Sequence, residues 1–139
     1  MNMSEFLPHL IAGVAALFIG FLWYHPKTFG SAWMSGVGMT EEKMGSGNMA
    51  LRYGLTFLMA MLISVFVSFF ASGHEEKVLT RLQHFAFHGA QLGGVVVMPI
   101  VVIISLFEQL NFKTIAINVG YWILTLSVMG AIIGGMSAA

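Results

Sequence analysis

The sequence predicts an all-α membrane protein, a bundle of four transmembrane helices with a short interfacial segment after the first. Three observations predict it. Apolar residues make up 58% of the chain and charged residues 9%, against roughly 45–50% and 25% in ordinary soluble domains. Four uncharged apolar stretches each reach the length of about 20 residues that a helix needs to cross hydrocarbon. The charges gather between those stretches, at 27–52, 75–81 and 108–113. A soluble fold of this composition would expose large apolar patches and aggregate.

The spans are expected at about 6–24, 53–71, 85–107 and 115–136, with residues 25–51 as the one long connection. The 139 residues are expected to form a single domain. The first stretch reads as a retained span. It has no basic segment before it, its apolar part exceeds a signal-peptide core, and no small-x-small cleavage site follows Tyr24. Pro26 should end the first helix, since it lacks a backbone donor and restricts His25. Trp23, Tyr24, Trp33 and Tyr53 lie where an aromatic belt would be. Residues 29–34 should rest on the membrane surface, and 45–48, with two glycines, should be irregular.

With four spans, Lys27, Lys43, Arg52 and Lys113 share one side; Lys77, Arg81 and the amino terminus share the other. The positive-inside rule then places the first connection in the cytoplasm. Six basic and six acidic residues cancel, which excludes the basic surface that nucleic acid binding requires. The absence of cysteine excludes disulfides, thiolate nucleophiles and iron–sulfur ligation. There is no phosphate-binding glycine loop, no Gly-x-Ser-x-Gly elbow and no Asp. Nothing points to an enzyme, and no cofactor is expected.

Small residues recur every fourth position at Ala12, Ala16 and Gly20, at Gly89 and Gly93, and at Gly130 and Gly134. They predict close helix approach, within the bundle or between copies in a homo-oligomer. Pro99 should kink the third span.

Polar residues inside spans form two stripes. His84, His88 and Gln91 share one helix face, at i, i+4, i+7. Asn111, Thr114, Asn118, Tyr121 and Thr125 fall within one narrow arc of the fourth span. Ser64 and Ser68 are also i, i+4. Two readings stay open: bonds that fix helix register, or a polar pathway or ligand pocket. His9, His74, His84 and His88 should lie toward one membrane face and His25 toward the other. His84 and His88 are spaced to chelate a divalent metal, although no carboxylate sits in that motif. Met34, Met39, Met44 and Met49 recur every fifth residue, which matches no helix face and reads as chance. The acidic pairs Glu41-Glu42 and Glu75-Glu76 read as solvated, and Glu108 as a boundary marker.

The motif Trp23-Tyr24-His25-Pro26, followed by Phe29-Gly30, Trp33-Met34, Gly38 and Thr40-Glu41-Glu42, resembles the bacterial small membrane proteins grouped as "domain of unknown function 1761". His88-Gly89-Ala90, Phe107-Glu108, Asn118 and Tyr121 fit the same resemblance. It implies a stand-alone four-helix protein, expected in a bacterial inner membrane, and it implies no activity. In physical terms Trp23, Tyr24, Pro26, Phe29, Gly30 and Trp33 make a rigid aromatic corner that anchors the first helix or binds a lipid or protein. Three functions remain in view: an oligomeric transporter or channel or small-ligand-binding protein; a non-catalytic accessory protein with an unknown protein partner; and, least supported, a lipid-acting enzyme.

Extraction from membranes should require detergent, and dilution below the micelle concentration should precipitate the protein. A monomer that stays dispersed in plain buffer would overturn the assignment.

Overall fold

Each long helix starts where a side chain can satisfy its first backbone donors. Asn2 caps α1 (Met3–Trp23) in a reciprocal box with Glu5. Asn48 caps α4 (Met49–Ser72). Thr80 and Gln83 form a second box at α5 (Arg81–Leu92). Asn111 caps α7 (Phe112–Met136). Such caps supply acceptors to the otherwise orphaned amides of the first turn. They also explain why every span starts three or four residues before its apolar stretch. The computed structural model describes residues 2–74 and 77–137. Glu75 and Glu76, read above as a solvated acidic pair, lie outside the described residues.

The four helices long and apolar enough to cross a membrane are Met3–Trp23, Met49–Ser72, Arg81–Phe107 and Phe112–Met136. There is no strand among the described residues. Only 17–33% of the most apolar window of each span is buried inside the chain. Phe18, Phe21, Leu62, Phe69 and Val95 are all at least 60% exposed. Water would not tolerate this surface; hydrocarbon does.

The long connection holds two short helices. In α2 (Gly30–Val37) the chain turns back to pack on α7. A further five residues form α3 (Glu41–Gly45), capped by Thr40 and started by two acidic residues, a signal in keeping with the helix dipole. The Arg52 guanidinium donates to the carbonyl oxygens of Met44 and Ser46 and closes the segment around 45–48, expected to be irregular, against the start of α4.

The third span is interrupted. Between α5 and α6 (Met98–Phe107), residues Gly93–Val97 form a π turn in which the Met98 amide bonds to Gly93, five residues back. Pro99 follows it. A proline ring clashes with the carbonyl four residues earlier; the extra residue in a π turn gives that carbonyl somewhere else to point. The kink expected at Pro99 therefore takes the form of a wider turn. The α6–α7 connection closes with a Schellman pair, Leu110 amide to Ser105 and Gln109 amide to Leu106, and Gln109 takes the left-handed conformation, φ 56°.

Helix α7 is the hub, touching α1, α2, α4, α5 and α6. Its most extensive contact is with α5, and glycine makes that contact possible. A methyl at Gly89 would overlap the Leu126 carbonyl, and one at Gly130 would overlap the Phe85 carbonyl. Across the bundle, Ala12 and Ala16 are fully buried, with Gly20 under the Tyr121 ring. All three small-residue registers thus serve packing within the chain.

Gly89→Ala should destabilise the bundle by about 1–3 kcal/mol, the usual cost of overpacking. Gly94→Ala, where an added methyl meets nothing within 4 Å, should change stability by less than about 0.5 kcal/mol. Thermal unfolding in detergent reads both.

Candidate functional site

Polar side chains collect toward the two ends of the bundle, with Ser64 and Thr125 buried between them. At the end where α1 finishes and α7 begins, the aromatic corner turns inward onto α7. The Trp23 indole donates to the Ile117 carbonyl (2.9 Å), and the Tyr24 phenol donates to Asn118 Oδ1 (2.8 Å). Tyr121 donates to the Ala16 carbonyl (3.0 Å). The ring centroid of Tyr24 lies 5.3 Å from that of Trp33 and 5.4 Å from that of Tyr121; Trp23 and Phe29 are 4.5 Å apart. Thr28 closes the end of α1, its hydroxyl within reach of the Leu22, Trp23 and His25 carbonyl oxygens. Gly30 is required here, since a Cβ would overlap the Tyr24 carbonyl. Ser31 donates to the Pro26 carbonyl. Asn118 Oδ1 can only accept, so Tyr24 acts as the donor.

The fourth-span stripe divides among different tasks. Asn111 caps its own helix and accepts from the Thr114 hydroxyl (3.0 Å). Asn118 and Tyr121 hold α1. Thr125 is fully buried, and its hydroxyl has no hydrogen-bond partner within the described residues.

At the opposite end three imidazoles meet. His84 Nε2 donates to the Ala71 carbonyl (3.0 Å) and so ties α5 to the end of α4. His74 Nδ1 donates to the Phe70 carbonyl (2.8 Å), and His88 Nδ1 donates to Gln91 Oε1 (2.9 Å). An oxygen that can only accept assigns the proton to the ring nitrogen in each case. The His74 and His88 rings stack with centroids 4.6 Å apart, and His84 meets His88 edge-on at 4.5 Å. Deeper in, His9 Nδ1 lies 2.9 Å from Ser64 Oγ. Ser64 gives its own proton to the Met61 carbonyl (2.7 Å), so His9 is the donor. Ser68 is only half-buried. His84 and His88 are adjacent, yet among the described residues no three His, Asp or Glu side chains are grouped to hold a metal ion.

Beside these imidazoles a cleft of about 320 Å³ opens between the end of α4 and the start of α5. Ser72, His74, Arg81 and His84 line it, together with buried Ala71 and Phe85. Arg81 stands over the Phe85 ring, 5.5 Å from its centroid. The spacing of His84, His88 and Gln91 was visible in the sequence. The shared membrane side of His74 and Arg81 was visible as well; their meeting with His84 around one cleft was not, because it depends on how α4 and α5 pack at their ends.

Four helices long and apolar enough to cross a membrane define a small integral membrane protein. Residues 7–134 match the family model described as "Protein of unknown function (DUF1761)", and the chain belongs to that family. No curated protein and no solved structure matches the chain.

The Tyr24–Asn118 bond couples α1 to α7. In a double-mutant cycle, Tyr24→Phe and Asn118→Leu should be non-additive by roughly 0.6–1.7 kcal/mol, the range for hydrogen bonds between membrane helices. Unfolding free energies of the four proteins in mixed micelles give the coupling.

Proposed function

We propose that the protein is a membrane-embedded binding protein for a small anionic group, a phosphate or carboxylate, taken up in the cleft beside His74, Arg81 and His84. The cleft carries this reading. Its volume of about 320 Å³ lies at the lower end of the range for ligand sites, roughly 300–1,000 Å³. Its wall combines a guanidinium, two imidazoles and a hydroxyl. Arg81 alone has five N–H donors, so a bound anion can share it with groups already in contact.

A transporter or channel made of one chain has less support. Val67, Leu126 and Met129 are fully buried in the bundle, and the buried hydroxyls of Ser64 and Thr125 among them are isolated groups that form no continuous hydrogen-bonded chain among the described residues. Conduction would need a path between copies, and a homo-oligomer belongs to the same proposal. The accessory-protein reading rested on the aromatic corner and the small-residue faces, and the latter pack within the chain. The hydrogen bonds of Trp23 and Tyr24 are spent within the chain, which favours an anchor over a docking surface. Lys27, Lys43, Arg52 and Lys113 favour a cytoplasmic first connection in a bacterial inner membrane. The cleft then opens on the opposite face.

Thermal unfolding in nanodiscs of zwitterionic lipid tests the proposal, first with inorganic phosphate and then with an anionic phospholipid added. A ligand at 100 times its dissociation constant should stabilise the protein by about 2.7 kcal/mol. The double variant Arg81→Gln/His84→Ala should lose that gain. Stabilisation by phosphate alone identifies a solute site, and by lipid alone a headgroup site. Stabilisation by neither rejects the proposal.

A further inference from the structure

Gln91 occupies a place that hydrocarbon cannot satisfy. It lies ten residues into the third span, which at 1.5 Å per residue is about 15 Å from Arg81, well inside a core of roughly 30 Å. Its side chain is exposed on the outer surface of the bundle. Its Oε1 accepts from His88, and its amide NH₂ has no partner among the described residues. Polar groups at this depth normally face protein or water, because lipid tails offer no acceptor.

Leu92, the residue after Gln91, lines a groove of about 330 Å³ with an entirely apolar wall along the seam between α4 and the third span. Leu62 and Phe66 form one side, Val96 and Val97 the other, with Leu92 and Leu126 completing it. An acyl chain could fill this groove but would leave the Gln91 donors unpaired. A protein surface with an acceptor at the same depth satisfies both.

We infer that this face is the contact between two copies of the chain, paired across a two-fold axis through Gln91. A two-fold contact brings each residue opposite its own equivalent or a reciprocal partner. A carboxamide is self-complementary in that setting: each NH₂ donates to the other copy's Oε1, and the oxygen has a second lone pair beyond the one His88 uses. The exposed side chains of Phe66 and Val95, 56% and 68% exposed, stand beside the groove as material to fill the partner's. The small-residue registers are already used within the chain, so the dimer rests on a polar pair and an apolar groove. This face is separate from the anion cleft, and its test does not depend on that proposal.

The chain has no cysteine, so one introduced thiol reports one contact. Val95→Cys, reconstituted at low density in liposomes and oxidised, should give a disulfide-linked dimer. Phe18→Cys, equally exposed on α1, should remain monomeric. Adding Gln91→Leu to Val95→Cys should lower the dimerisation constant roughly threefold to twentyfold, from the strength of such bonds in membranes. Equal cross-linking at 95 and 18, or no effect of Gln91→Leu, overturns the inference. Should the variants fold poorly, photobleaching steps of the labelled parent protein decide: two steps support the dimer, and single steps overturn it. Single steps together with a lipid retained in native mass spectrometry would assign the groove to lipid instead.

Discussion

Inside a bilayer, burying apolar surface against another helix gains nothing, because the lipid tails are as apolar as the partner. Helices are held by close packing and by the few polar bonds that hydrocarbon cannot replace. In this protein that constraint centres on the α5–α7 crossing, where Gly89 and Gly130 let two backbones approach to carbonyl contact. With that approach in place α7 becomes the axis of the bundle. The remaining helices are arranged around it: α1 through Trp23, Tyr24 and Tyr121, and α4 through the buried row of Ala60, Ser64, Val67 and Ala71.

The same constraint separates polar from apolar along the membrane normal. Polar side chains that reach a carbonyl or an amide near a helix end are satisfied there, while the Thr125 hydroxyl, buried beside Leu126, has no partner among the described residues. One end is a closed aromatic joint whose donors are spent on α7. The other holds imidazoles and an arginine around an open cleft. The proposed ligand site follows this asymmetry, since an end with its hydrogen bonds satisfied internally has little left to offer a ligand. Gln91 departs from the pattern, being polar, inside a span and outward-facing, and the proposed contact between copies rests on that departure.

Several features were legible in the chain because they depend on local physics. The four spans follow from uninterrupted apolar length. The glycine registers were visible as four-residue spacing, although spacing alone left open whether they faced another helix of the same chain or a second copy. The cap at Thr40, with two acidic residues behind it, could have revealed α3; the nearby glycines drew the reading toward an irregular segment. At Pro99 local chemistry required a departure from the α-helix, while neighbouring Gly93 and Gly94 allowed a π turn.

Sequence by itself determined that the chain has four helices long and apolar enough to cross a membrane, and which polar residues share a helix face. Those properties follow from the period of one helix and the thickness of a bilayer. Tertiary structure alone decided which faces meet. It turned the aromatic motif inward onto Ile117 and Asn118, brought His74 against His88 across a connection, and left Gln91 facing out. The reason is geometric: periodicity fixes a side chain's direction about its own axis, but its neighbour depends on how every other helix is rotated and placed.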